Sequence, residues 1–339
     1  MTNMPIGVNI AKNVFQLHWV DGNTGEIFSK QLKRSVFLEF FANRTPCLVG
    51  MEACGGAQHW ARRLTELGHQ VKLMPGKFVK AFVAGNKNDS MDARAIWMAV
   101  QMPGKAVAVK TEAQQAVLAL HRLREQTVKM RTMQVNNLRG LLAEYGEVMP
   151  KSRTGLEDGL PDVLERLSER LPAALIDSFQ EQKADLKALD DKIGRLEGRL
   201  RKWLNEDRSS KAIAEIPGVG LLTATAAVAT MGDAKAFKSG REFAAFLGLV
   251  PSQKGTGGRV QLLGISKRGD TYLRTLLIHG ARSVLFHAKS PGPWISELKT
   301  RRPPNVVAVA LANKMAHLIW AVLAHDRPYR ADHVSAAPT

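Results

Sequence analysis

Residues 7–32, GVNIAKNVFQLHWVDGNTGEIFSKQL, set the fold of the first part of the chain. Gly7–Ile10 and Val14–Val20 are β-prone, the turn-rich DGNTG run spans 21–25, and Glu26–Leu32 resumes an extended pattern, so a hairpin or meander is expected. Working outward, Ser35 is placed to cap a helix through Phe41, and Cys47–Met51 is a short apolar run of buried-strand type that delivers Glu52 at its end. Gly55 and Gly56 precede a helix to Leu67 that Gly68 stops, and Gln70–Leu73 reads as another strand. Strands feeding helices in this order indicate an α/β sheet with functional side chains at strand ends.

Strand signals then vanish. From Asp185 onward Leu186, Leu189, Ile193, Leu196, Leu200 and Trp203 alternate spacings of three and four, the seam of a coiled coil. Glu112–Tyr145 is also helical by composition, its seam interrupted by Arg124 and Arg131, and Gly155–Pro161 is expected to separate the two helices. A helical hairpin within the chain and a coiled coil between chains are both compatible with this pattern. The last segment opens with IPGVG, Ile216–Gly220, ahead of the small-residue helix Leu221–Met231. Such a turn resembles a helix-hairpin-helix, in which Gly218 and Gly220 would let backbone N–H groups approach a phosphate; as a bare connector it would carry no function. A Ser239-capped helix, a glycine-rich loop over Ser252–Gly264, a helix from Thr271 to about His287 and an apolar helix within Val306–Leu323 follow. The expected organisation is α/β plus α: residues 1–110, a helical coiled-coil region at 111–210, a mainly helical domain at 211–330, and a frayed tail at 331–339.

With 48 Lys and Arg against 31 Asp and Glu, the 339-residue chain carries +17, which favours a polyanionic partner. The excess sits at the two ends: residues 1–110 are net +7, residues 111–210 neutral and residues 211–339 net +10. The apolar stretches Val306–Ala312 and Leu318–Ala324 are shorter than a bilayer span. No basic segment precedes an apolar core at the N-terminus, and the two cysteines, Cys47 and Cys54, suffice for neither a disulfide scaffold nor a cysteine-based zinc site. A cytoplasmic protein with no membrane role is expected.

Asp89 and Asp92 stand three apart in NKNDSMDARAI at the start of a helix, so both carboxylates share a face. Together with Glu52 they could hold a divalent ion; alternatively they only complement a helix dipole. Four stretches in order, GVNIAKNVFQLH, GMEACGGAQHWA, GNKNDSMDARAI and SGREFAAFLGLVP followed by LLGISKRGD, resemble the DEDD insertion-sequence transposases, relatives of the Piv and MooV invertases, over essentially the whole chain. That resemblance implies an N-terminal RuvC-like domain of RNase H fold, a coiled-coil insertion and a C-terminal transposase domain. It also implies a homo-tetramer or dimer of dimers, acting on target and donor DNA under the guidance of a structured bridge RNA.

By the same resemblance, four acids bind Mg²⁺ and a serine attacks the DNA backbone. Glu52, Asp89 and Asp92 match the second, third and fourth acids, whereas Asn9 occupies the first position and Thr256 the serine position, with Ser252 and Ser266 nearby. An amide offers a metal only a carbonyl dipole where a carboxylate offers a charge, and the threonine methyl restricts rotamers at an attacking hydroxyl. Lys12, Lys87 and Arg94 flank the acid motifs, and Lys267 and Arg268 follow the nucleophile loop, placed to neutralise phosphates. Three readings result: an RNA-guided recombinase using Thr256, a catalytically silent derivative that keeps the nucleic-acid surfaces, and a nuclease that uses water and would not need Thr256.

Overall fold

The structure, a computed structural model, describes residues 4–84, 88–104, 106–289 and 292–330. The chain divides into two compact units, Met1–Glu112 and Ala113–Thr339, so the helical middle and the last segment lie in one unit.

The first unit is built on β1 (Pro5–Ile10), β2 (Val14–Val20), β3 (Ile27–Lys33), α1 (Phe37–Ala42), β4 (Leu48–Glu52), α2 (Ala57–Glu66), β5 (Gln70–Met74), α3 (Gly76–Lys80) and α4 (Asp89–Gln101). The five strands form one mixed sheet in the order β3-β2-β1-β4-β5. The meander β1-β2-β3 is antiparallel, while β1 with β4 and β4 with β5 run parallel. Side chains alternate across the pleat. Ile6, Val8, Val49 and Met51 enter the core under α1 and α2 with Phe15, Phe37 and Trp60. Gly7, Asn9, Gly50 and Glu52 therefore face the other side, where α4 lies. Ser35 falls in a short 3-10 turn, Arg34–Val36, that leads into α1 without a side-chain cap.

Two bare positions let α4 approach. A β-carbon on Gly7 would stand 2.4 Å from the Ala93 carbonyl oxygen and 2.4 Å from the Trp97 nitrogen, and one on Gly50 would stand 2.8 Å from Val100 Cβ. The helix rests on backbone at both strands, with Ala95, Ile96, Ala99 and Val100 buried beside Met74 and Val79.

The second unit contains α5 from Ala113 onward within Glu112–Glu144, α6 (Arg153–Ser168), α7 (Ala173–Glu206), α8 (Arg208–Ala214), α9 (Leu221–Met231), α10 (Gly240–Phe246), β6 (Pro251–Thr256), β7 (Arg259–Ile265), α11 (Thr271–His287), α12 (Pro293–Arg301) and α13 (Pro304–His325). Helices α5 and α7 run antiparallel, as the pairs Arg124–Glu197 at 2.7 Å and Arg131–Asp190 at 2.6 Å require. The two arginines that interrupt the apolar seam of α5 are thus ion-paired to α7. The segment expected to break the helices is itself α6, with Pro161 inside it. Ser152 caps it through the Gly155 N–H at 3.0 Å, and burial of Leu156, Leu160, Val163, Leu164 and Leu167 outweighs the hydrogen bond that exposed Pro161 forfeits.

The expected Ser252–Gly264 loop is an antiparallel hairpin. Thr256 pairs with Arg259 around Gly257 and Gly258, whose φ angles of 55° and 81° give the two-residue turn that matches strand twist. Helix α13 is long and apolar enough to cross a membrane, more than its interrupted apolar runs suggest. Its Val307, Leu311, Ala312, Met315, Ala316 and Ile319 instead fill the core of this unit with Ile213, Phe243, Leu273 and Leu277.

Candidate active site

The register that pairs Val8 with Met51 puts Asn9 and Glu52 at neighbouring strand ends, on the face that α4 covers. Asn88 caps α4 by accepting the Met91 N–H at 2.8 Å, which leaves Asp89 and Asp92 in the first turn. The Asn9 side-chain amide donates to Asp89 Oδ1 at 3.2 Å, so the end of β1 and the start of α4 meet. A polar chain supports this contact: Gln16 donates to Ser29 Oγ at 2.9 Å, and Ser29 and Ser90 share a hydroxyl hydrogen bond at 3.2 Å. Glu52 is half-buried, and its Oε1 would stand 2.5 Å from a β-carbon at residue 76, so Gly76 is what leaves room for the carboxylate. Burial, and then the charge of Glu52, push the neighbouring Cys54 thiol up from its ordinary value.

Three carboxylates and an amide oxygen would suit a hard divalent cation in kind. Among the described residues, no group of three His, Cys, Asp or Glu stands close enough together to hold a metal ion. Lys12 is exposed on the β1–β2 turn and Arg94 is exposed on α4. Burial, and then the charge of Arg94, hold His18 below the usual histidine range. Lys87 lies outside the described residues.

In the second unit Thr256 is exposed at the tip of the β6–β7 hairpin. The hydroxyl of Ser252 is committed to the Gly264 carbonyl at 3.0 Å, and Ser266 is half-buried with its N–H on the Val250 carbonyl at 2.8 Å. Of the three residues, Thr256 is the exposed one. Lys267 and Arg268 are exposed on a segment whose backbone is pressed against the end of α10. A β-carbon on Gly248 would stand 2.1 Å from the Arg268 carbonyl oxygen, and buried Arg274 donates to the Leu247 and Arg268 carbonyls at 2.9 and 3.3 Å. Sequence reading missed Arg274, since nothing local marks a cation that serves carbonyls instead of a ligand.

Gly218 and Gly220 part company. Gly218 has φ 86° and touches α11, and a β-carbon on Gly218 would stand 2.8 Å from the Gly280 carbonyl oxygen. Its lack of a side chain is accounted for by that contact. Gly220 is exposed at the N-terminus of α9 with open space around it, beside a cavity of about 670 Å³ that Arg201 and His279 also line.

Comparison with known proteins decides the family. A model described as Transposase IS116/IS110/IS902 family matches residues 210–296, and a second transposase model, of the DEDD IS110 group, matches residues 6–147. A probable family 20 transposase of Pseudomonas aeruginosa is 45% identical over 331 residues, which cover 96% of this chain and 98% of the relative. The chain belongs to the IS110/IS116/IS902 transposases. The transposase for insertion sequence element IS1111A of Coxiella burnetii is 40% identical over 96% of this chain and 91% of its own length. The transposase for IS1328 of Yersinia enterocolitica is 37% identical, over 94% and 96%. This transposase therefore acts in insertion-sequence transposition, and its sheet unit is the DEDD, RNase H-like region of the family.

Proposed function

We propose that this transposase cuts and joins target and donor DNA by phosphoryl transfer, with Glu52, Asp89, Asp92 and, more weakly, Asn9 around Mg²⁺ and the Thr256 hydroxyl as nucleophile. The observation that carries the reading is the Asn9–Asp89 hydrogen bond at the sheet end where Glu52 also emerges. When bound, Mg²⁺ neutralises the charge that builds on attacking and leaving oxygens. Glu52 comes from the end of β4 and Asp89 and Asp92 from the first turn of α4, so the ion would have to draw in carboxylates from two separate elements. Thr256, on an exposed two-residue turn, can reach a phosphorus without rearrangement of its own unit. Lys267 and Arg268, with their backbone held against α10, then offer fixed positive charge to the phosphates that flank the break.

Guidance by a structured RNA and assembly as a homo-tetramer, or dimer of dimers, complete the reading. The +17 charge supports a second polyanion. On α5 the row Ala119, Leu123, Gln126, Met130, Met133 and Asn137 repeats at spacings of four and three and is exposed along its length, which suits a partner helix.

The test is formation of a covalent protein–DNA adduct with RNA, both DNA partners and Mg²⁺ supplied. Asn9→Asp with Thr256→Ser should raise adduct yield, and absence of any adduct from that double variant would overturn the assignment. One observation favours a second reading, a catalytically silent nucleic-acid-binding derivative. The Asn9 amide already satisfies Asp89 without a cation. That protein would bind RNA in a salt-sensitive manner and cut nothing as it stands.

A further inference from the structure

The sheet edge of the first unit carries cations that the reading above leaves unused. Among the described residues, strand β3 pairs only with β2 and is an edge. Between Ile27 and Arg44 the chain places Lys30, Lys33, Arg34 and Arg44 against a single carboxylate, Glu39. Among the described residues none of these four cations, nor Lys12, makes an ion pair.

Three of them are laid on aromatic rings. Lys30 Nζ is 5.1 Å from the centre of Phe40, the Arg44 guanidinium is 4.5 Å from Phe40 and 4.6 Å from Trp19, and that of Arg34 is 4.9 Å from Trp60. Stacking of this kind orders long side chains before a ligand arrives and leaves their N–H groups to serve it. Two hollows are lined by these cations: one of about 670 Å³ with Asn13, Lys33 and Arg34 on its walls, the other of about 420 Å³ with Asn43, Arg44 and Glu39. Each thus combines positive charge with an amide donor, the side-chain types that contact phosphate and sugar.

The first hollow is tied to the strand end that carries Asn9. The Arg34 N–H donates to the Asn13 carbonyl at 2.9 Å and its guanidinium to the Lys12 carbonyl at 3.4 Å, on the turn that leaves β1 just after Asn9. Four residues of chain span at most about 14 Å, the rise of roughly four base pairs.

We propose that β3, the turn at Lys12 and Asn13, and α1 form a groove for the DNA backbone, which holds the duplex a few base pairs from the strand at Asn9, Glu52 and Asp89. DNA is the occupant because the family acts in transposition and because the cations run on from the acid end of the sheet along an extended edge. An acidic protein segment would not need that continuity. The position of the groove rests on the acid cluster as the cutting site, and the test is chosen to be independent of cutting.

Binding of the full chain to a short mixed-sequence DNA duplex is followed in EDTA over a series of salt concentrations. Lys33→Gln with Arg34→Gln is expected to reduce the slope of log affinity against log salt by about 1.8, and Arg44→Gln by about 0.9. Lys33→Gln alone, which removes no ring contact, is expected to reduce it by about 0.9 and keeps the test open if loss of the Arg34 stack perturbs folding. An unchanged slope in the Lys33 variant and in a folded double variant overturns the proposal. A slope change seen with an RNA hairpin of equal phosphate count but not with DNA overturns the choice of occupant. Because metal-dependent cutting is silent in EDTA, failure of the adduct experiment leaves these outcomes standing.

Discussion

Asn9 does at one atom what a cation would do between two acids. Its amide N–H reaches Asp89 Oδ1 at 3.2 Å, where an aspartate would set carboxylate against carboxylate. Asn9→Asp is therefore expected to lower the melting temperature in EDTA and to make it rise with added Mg²⁺ more than in the parent chain; an equal response of both proteins would show that position 9 does not face the ion. Gly76→Ala puts a methyl where Glu52 Oε1 now lies, 2.5 Å from the added carbon. The carboxylate must swing away, so loss of Mg²⁺ response with the fold retained, measured by calorimetry and circular dichroism, is the expected outcome. The place of Glu52 at a strand end was legible because a short apolar run and its end are local facts, whereas Asn9 was singled out only by the family resemblance. The need for Gly76 was not legible, because it depends on which loop the carboxylate lies against.

At the scale of elements, the helix that carries two of the acids is positioned by what the strands lack. Gly7→Ala would press a methyl to within 2.4 Å of α4 backbone, and overpacking of this kind costs about 1–3 kcal/mol. Denaturant melts should show that loss, and hydrogen exchange should show early opening of α4. The meander and the alternation of strands with helices in the first unit followed from its pattern, yet the two bare contacts under α4 did not, since a close approach of helix to sheet leaves no periodic trace. Pro161 misled for the opposite reason: a strong local breaker is overridden by five buried apolar side chains of α6. The β6–β7 hairpin escaped because both its faces are exposed and no alternation marks it, although Gly257-Gly258 between Thr256 and Arg259 is a turn signal that could have revealed it. On α5, Leu123→Glu with Met130→Glu should reduce the assembled mass in light scattering while helix content stays constant; unchanged mass would remove that face from the assembly.

At the scale of the whole molecule, the interior polar network sets an acid limit. His121 is buried between the Tyr272 hydroxyl at 2.9 Å and the Thr225 hydroxyl at 3.0 Å, and Thr225 donates in turn to the Leu221 carbonyl. Thr225 thus accepts from the imidazole, Tyr272 donates to it, and the ring is held neutral. Burial first, and then the charge of Arg124, depress its pKa to about 4. The unfolded chain takes up this proton near the ordinary value of 6.5 and the folded chain only near 4. The neutral network contributes fully above pH 6.5 and loses up to about 3 kcal/mol as pH falls through that window. The melting temperature should drop across it, and His121→Gln should flatten the drop.

The contacts beneath α4 also foretell how a saturation library would read. Positions 7 and 50 would empty of nearly every substitution, much as the acid positions would, and an activity screen alone would count two kinds of failure as one. Scoring the same library for soluble expression would part them: the glycine variants would vanish from both readouts, whereas the carboxylate variants would survive in the second.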